Sequence, residues 1–186
     1  MKEVEAVKNH DTIKLISFLL ERHSGRQMRD VWEIGLNLAL RISDLLAIRF
    51  SDIEDDTLTI RERKTGKLAR IKLNSKTRDR IEAIRAEHTD HVYLFQSYRS
   101  PGMQHKPPKP LTRRAVTKAF SLIGEEVNIV LGTHSMRKTR GYLLYQQCKD
   151  LGRVMRMLRH HSEAVTLRYI GITQQQVDQD FLSLEI

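Results

Sequence analysis

Apolar positions recur with helical spacing along most of this chain. In "DTIKLISFLLERH" they fall at 13, 16, 19 and 20, with Asp11 as the expected cap. "RDVWEIGLNLALR" continues in the same style through Val31, Trp32, Ile34, Leu36, Leu38 and Leu40, and "SDLLAIRF" reads as a short buried helix. The period then changes. "DTLTIRERKTGKLARIKL" holds two alternating runs, with Leu58 and Ile60 on one face before Gly66 and Ile71 and Leu73 on one face after it. That pattern predicts a β-hairpin. Helical spacing returns in "SKTRDRIEAIRAEH", and Val92–Phe95 is short enough for a strand. All four prolines fall in 101–110, a surface loop. Five more helices follow, in "LTRRAVTKAFSLIGEEV", "HSMRKTRGYLLYQQC", "LGRVMRML", "SEAVTLRY" and "TQQQVDQDFLSL". The last opens with Thr173 and Gln176 at capping-box spacing. The expected fold is mainly α with a small antiparallel β-hairpin or sheet between helical halves.

The 186 residues suggest one domain. The simplest partition is an extension over 1–10, a catalytic domain over 11–171 and a tail helix over 172–186. Lys and Arg number 32 against 23 Asp and Glu, a net charge of +9, which favours an anionic partner, nucleic acid first. Cys148 is the only cysteine, so neither an intrachain disulfide nor a cysteine zinc site is available. "MKEVEAVKNHDTIK" has no apolar core of a signal peptide, and no run of 18 apolar residues occurs. A cytoplasmic, nucleoid-associated protein with no membrane partner is the expectation.

Four stretches place polar residues where a core pattern would not ask for them. Arg41 and Asp44 share a helix face in "LALRISDLL", where they would form a structural ion pair or a ligand site. "RERKTGKLAR" crowds five basic residues on the hairpin, either as a solvated tip or as a loop directed at DNA. "THSMRKTRG" sets His134 and Arg137 one turn apart, with Lys138 and Arg140 beside them, at a helix start that favours an anion or at a capped basic surface. "LRHHSEAVTLRYIG" sets Arg159, His160 and His161 ahead of Tyr169, nine residues after His160.

Together these groups meet the needs of metal-free phosphodiester cleavage. Arginines clamp the non-bridging oxygens, a histidine moves a proton, a lysine protonates the leaving oxygen and a tyrosine forms a phosphoester. No HExxH pattern or carboxylate cluster favours a metal route, and no cofactor is expected.

"LALRISDLLAIRFSDI", "RKTGKLARIKL", "HSMRKT", "LRHHS" and "VTLRYIG", in that order, resemble the catalytic domain of the tyrosine recombinases, the phage integrase family. The resemblance runs from about residue 11 to the end. It implies a catalytic set of Arg41, Lys64, His134, Arg137, His160 and the nucleophile Tyr169, with Asp44 supporting Arg41. Lys67 is the competitor to Lys64, and His161 to His160. Contacts to DNA are expected from Lys67, Arg113, Arg114, Lys118, Lys138, Arg140 and Arg159. The chain departs from the family pattern at Ala39 and at Arg159, where glycine is usual. The N-terminal DNA-clamping domain usual in the family is also missing, so the chain is either a compact recombinase or a catalytic fragment. The resemblance further implies a specific double-stranded DNA site, a monomer in solution, a homotetramer on DNA and exchange of the tail helix between protomers, the alternative for that amphipathic tail being packing onto its own core. Type IB topoisomerase-like chemistry, a non-catalytic DNA-binding regulator and a helical protein-interaction domain are the rival readings.

Overall fold

The computed structural model describes residues 4–98, 107–172 and 174–184. Its helices are α1 (His10–Ser24), α2 (Arg26–Leu38), α3 (Ile42–Leu45), α4 (Ser75–Glu87), α5 (Arg113–Glu126), α6 (Ser135–Cys148), α7 (Leu151–Leu158), α8 (Glu163–Ile170) and α9 (Gln174–Ser183). Three strands, β1 (Ile53–Glu54), β2 (Thr57–Arg61) and β3 (Leu68–Lys72), form an antiparallel sheet in that order. Among the described residues no helix is long and apolar enough to cross a membrane.

The hairpin follows the predicted alternation. Leu58 pairs with Ile71 and Ile60 with Ala69, so the apolar side chains of both strands share one face. β1 extends it to three strands, and Leu73 lies one residue past the end of β3 while still buried. Gly66 turns the tip at φ 67°, backbone that glycine adopts freely.

Other expectations need correction. Asn9, not Asp11, caps α1, its side-chain oxygen accepting from the N–H groups of Asp11 (2.7 Å) and Thr12 (3.3 Å). Asp11 instead sits in the first turn, where a carboxylate complements the helix dipole. Val92–Phe95 is not a strand. Tyr93 makes one isolated bridge to Arg49, and Leu94 and Phe95 are buried as core plugs. The second helix stops at Leu38 because Ala39 turns left-handed (φ 49°), which releases Leu40 into the core and Arg41 to the start of α3. That short helix spans only Ile42–Leu45, not the whole of "SDLLAIRF". Thr173, half of the expected capping box, and residues 101–106 of the proline loop lie outside the described residues.

Two apolar clusters organise the chain. The larger surrounds fully buried Trp32 of α2, which meets Phe120 of α5 edge-on at 5.5 Å between ring centroids. Val7 of the N-terminal segment belongs to it, and the Val7 N–H donates to Thr139 Oγ1 at 2.8 Å. The smaller cluster gathers Ala39, Val154, Leu158 and Ile170, with Tyr169 and Leu167 packed against it. Helix α6 runs between the two. Gly35 of α2 leaves room for Met136 of α6, the residue before Arg137.

Candidate active site

A cavity of about 610 Å3 opens where α3, the hairpin tip, α6 and α8 converge, and it is lined by Arg41, Lys64, His134, Arg137, His160 and Tyr169. Six residues spread over 129 positions of sequence thus share one concave surface.

Arg137 lies deepest, 1% exposed. Its Nη1 donates to the Ala39 carbonyl at 2.6 Å, and its Nη2 donates to the Leu158 carbonyl. Both carbonyls belong to helix ends, which lack intrahelical partners for their last C=O groups. Burial, then the charge of Arg41, lowers its pKa to about 10, so it remains a cation at neutral pH.

Arg41 and Asp44 do not form the expected pair. The buried Asp44 accepts instead from the Arg63 N–H at 3.0 Å, which ties α3 to the hairpin loop one residue before Lys64. The carboxylate facing Arg41 is Glu62, whose Oε1 is 3.2 Å from Arg41 Nη1. Glu62 is 1% exposed. It also accepts from Arg159 Nε (2.6 Å) and from the Thr65 hydroxyl (2.8 Å). Burial pushes the Glu62 carboxyl up, but the Arg159 and Thr65 hydrogen bonds and the charges of Arg159 and Arg41 outweigh it and hold it below the ordinary carboxylate value. The charge run alone does not separate Glu62 from its basic neighbours. Its place two residues beyond Ile60, on the inward face of the alternation, was the available signal.

His134 stands at the N-cap of α6, and its Nδ1 is 2.9 Å from the Tyr169 hydroxyl. Partial burial, then the charges of Arg113, Arg137, Lys138 and Arg41, lower its pKa. His160 meets the Tyr169 ring edge-on, 4.7 Å between centroids. The Thr166 hydroxyl donates to the Ser162 carbonyl at 3.1 Å, so His160 Nδ1, 3.1 Å from Thr166 Oγ1, carries the proton of that pair. Burial, then Arg137, Arg41, Arg159 and His161, lower the His160 pKa to about 4. The ring is therefore neutral at pH 7, with Nε2 unprotonated.

The expected DNA contacts divide. Arg113 borders the cavity, and with exposed Arg114 and Lys118 it lines a shallow basic depression on α5. Lys64 faces the cavity, whereas Lys67 lines a neighbouring groove with Arg153 and Arg156. His161 borders both spaces. Lys138 is not a surface contact: it is 8% exposed and its Nζ lies 5.5 Å from the Tyr169 ring centroid, a cation–π distance. Arg140 is half-buried and does not line the cavity. Arg159 is held on Glu62 rather than extended into solvent.

Residues 6–176 match the family model for the phage integrase family. A Bacillus subtilis (strain 168) protein named "Probable integrase/recombinase YoeC" is 36% identical over 145 residues, covering 75% of this chain and 75% of that protein. Among solved structures, XerA recombinase superposes with a TM-score of 0.72 at 13% identity, covering 100% of this chain and 66% of that one. XerH site-specific recombinase bound to palindromic difH gives 0.70 at 18% identity, covering 96% and 53%. A lambda integrase dimer bound to a COC' core site gives 0.68 at 18% identity, covering 91% and 61%. The chain therefore spans between about half and two thirds of these solved relatives and three quarters of the Bacillus one. The mostly helical architecture and its small sheet are those of tyrosine recombinase catalytic domains. The fold, the convergent site and the match along most of the sequence agree: this chain belongs to the phage integrase family of tyrosine-type recombinases.

Proposed function

We propose that this protein cleaves and rejoins double-stranded DNA at specific sites through a 3′-phosphotyrosine formed at Tyr169. The 2.9 Å approach of Tyr169 Oη to His134 Nδ1, inside a cavity walled by arginines, carries the reading. A phenol ionises near pH 10, so attack at neutral pH requires a base. Neutral His134 takes the Oη proton as the oxygen–phosphorus bond forms. Arg41 and Arg137 face the charge gathering on the non-bridging oxygens. Lys64 protonates the 5′-oxygen as its bond to phosphorus breaks. His160 donates from Nε2 to a phosphate oxygen once it has taken up a proton. Rejoining reverses these transfers when a 5′-hydroxyl attacks the phosphotyrosine.

Phosphates of the flanking duplex lie along Arg113, Arg114 and Lys118 on one side and Lys67 on the other, fixing position more than sequence. Four protomers act together on DNA, in the cytoplasm at the nucleoid, with α9 exchanged between neighbours. The outward apolar side chains of that helix support the exchange: Phe181 is 82% and Leu182 83% exposed.

The test uses suicide duplexes, nicked near the cleavage position and drawn from a random-sequence library, with covalent protein–DNA adducts recovered after denaturation. The wild-type chain forms a 3′-linked adduct, and Tyr169→Phe forms none. An adduct that survives that substitution overturns the assignment.

A further inference from the structure

Arg159 ends α7 with left-handed backbone at φ 51°, a conformation that strains every residue with a side chain more than it strains glycine. The proposed chemistry assigns this side chain no part. Its surroundings are nevertheless built. Arg159 Nε donates to Glu62 Oε1 at 2.6 Å, across the cavity wall from α7 to the hairpin loop. The same oxygen lies 3.2 Å from Arg41 Nη1, and Thr65 fixes the other carboxylate oxygen at 2.8 Å. One buried carboxylate thus holds two guanidinium groups side by side.

That carboxylate does not satisfy them. Arg159 Nη2 and Arg41 Nη1 are both buried without a hydrogen-bond partner, Arg41 Nη1 being near Glu62 but out of line for a bond. Two cations share one anion, and both arginines line the cavity that Tyr169 also lines. Buried donors without acceptors are costly, and a tetrahedral oxyanion relieves that cost for both. Arg137 differs, since each of its terminal nitrogens already gives one of its two N–H groups to a backbone carbonyl.

We propose that Arg159 is a third guanidinium ligand of the scissile phosphate, and that Glu62 is the positioning residue that holds it beside Arg41. The proposal rests on the phosphotyrosine reading and adds a contact to it. Glycine, usual at this position in the family pattern, supplies no such contact.

The test compares wild type with Arg159→Gly, whose backbone accepts the left-handed turn and whose Glu62 keeps Arg41 and Thr65. Arg159→Lys, which keeps the charge, serves if the glycine variant fails to fold. Adduct formation is followed in single turnover on a suicide duplex with either a normal or an uncharged methylphosphonate group at the scissile position. Arg159→Gly slows cleavage of the normal duplex by about 100-fold, the scale of removing one oxyanion donor. The loss on the methylphosphonate is much smaller, because the charge that Arg159 meets is gone. An equal fractional loss on both duplexes marks a purely structural role and overturns the proposal.

Inorganic phosphate titrated into the free protein gives a second readout that needs no strand cleavage. Arg159→Gly weakens that binding by about tenfold, on the scale of a charged hydrogen bond, whereas the remote Arg78→Ala leaves it unchanged. Unchanged phosphate affinity in Arg159→Gly overturns the contact. Weakened phosphate binding in a chain that forms no adduct keeps the contact and overturns the phosphotyrosine reading instead.

Discussion

The Tyr169 hydroxyl and His134 Nδ1 stand 2.9 Å apart. In the proposed mechanism, the acceptor of the phenolic proton is thus already within hydrogen-bond distance. Burial and four neighbouring cations keep that acceptor unprotonated to lower pH than an ordinary histidine. Cleavage therefore stays level as pH falls through about 6.5, the usual histidine value, and declines only below it. Removing one of the cations, in Arg113→Ala, moves the acid limb upward. Single-turnover adduct yield against pH measures both, and an acid limb that ignores Arg113 removes His134 from the role.

His160 presents the opposite situation. It is neutral in the free protein, with its pKa held at about 4, and its Nε2 has no proton to give. An anion among Arg41, Arg137 and Arg159 offsets the charges that depress it, so phosphate binding raises its pKa. The imidazole C–H resonances of His160, followed by NMR with and without inorganic phosphate, should titrate at higher pH in its presence. Thr166→Val, which removes the Nδ1 partner, reduces that shift.

Glu62 links stability to pH. Its folded pKa is below the unfolded value near 4.3, so its contribution is complete above that value and is lost as pH falls through the lowered one. Glu62→Ala leaves Arg41 and Arg159 facing each other without their anion and costs about 3 kcal/mol. Glu62→Gln costs less, since the amide still accepts from Thr65. Urea unfolding of the three proteins at pH 7 and pH 3 checks this: the gap between wild type and Glu62→Gln narrows at the acid pH.

The tail helix gives a prediction about assembly. With Phe181, Leu182 and Leu184 all turned to solvent, α9 adds little to the stability of its own protomer. Deleting residues 173–186 changes unfolding free energy by about 0.5 kcal/mol or less, as for surface changes remote from the core. The same deletion abolishes higher-order complexes on DNA, observed by multi-angle light scattering. A large loss of stability instead places the tail on its own body.

Much of this site was legible in the sequence. Arg41, Lys64, His134, Arg137, His160 and Tyr169 line one cavity as the motif order implied. The helices also emerged from apolar spacing, because burial of one face in the apolar clusters imposes that spacing. What stayed hidden depended on contacts distant in sequence. Glu62 and Arg159 are 97 residues apart, and their bond forms only when α7 meets the hairpin. Glu62 looked like one charge in a solvated run. Lys138 looked like a surface cation because nothing local reveals that the Tyr169 ring covers it. Asp44 was matched with Arg41 by helical spacing, but Arg41 precedes the helix, so that spacing does not apply. Val92–Phe95 had the composition of a strand without a neighbour to pair with along its length.

The two carbonyls that Arg137 clasps lie at the turns leading into Arg41 and into His160. One side chain therefore keeps two distant turns in register, apart from the phosphate contact proposed for it. A descendant that gave up strand cleavage would still need this arginine to hold its shape. Its survival in a related chain is consequently poor testimony of enzymatic activity. The tyrosine hydroxyl, which makes no bond to either carbonyl, is the better witness when living recombinases are to be told from their silent derivatives.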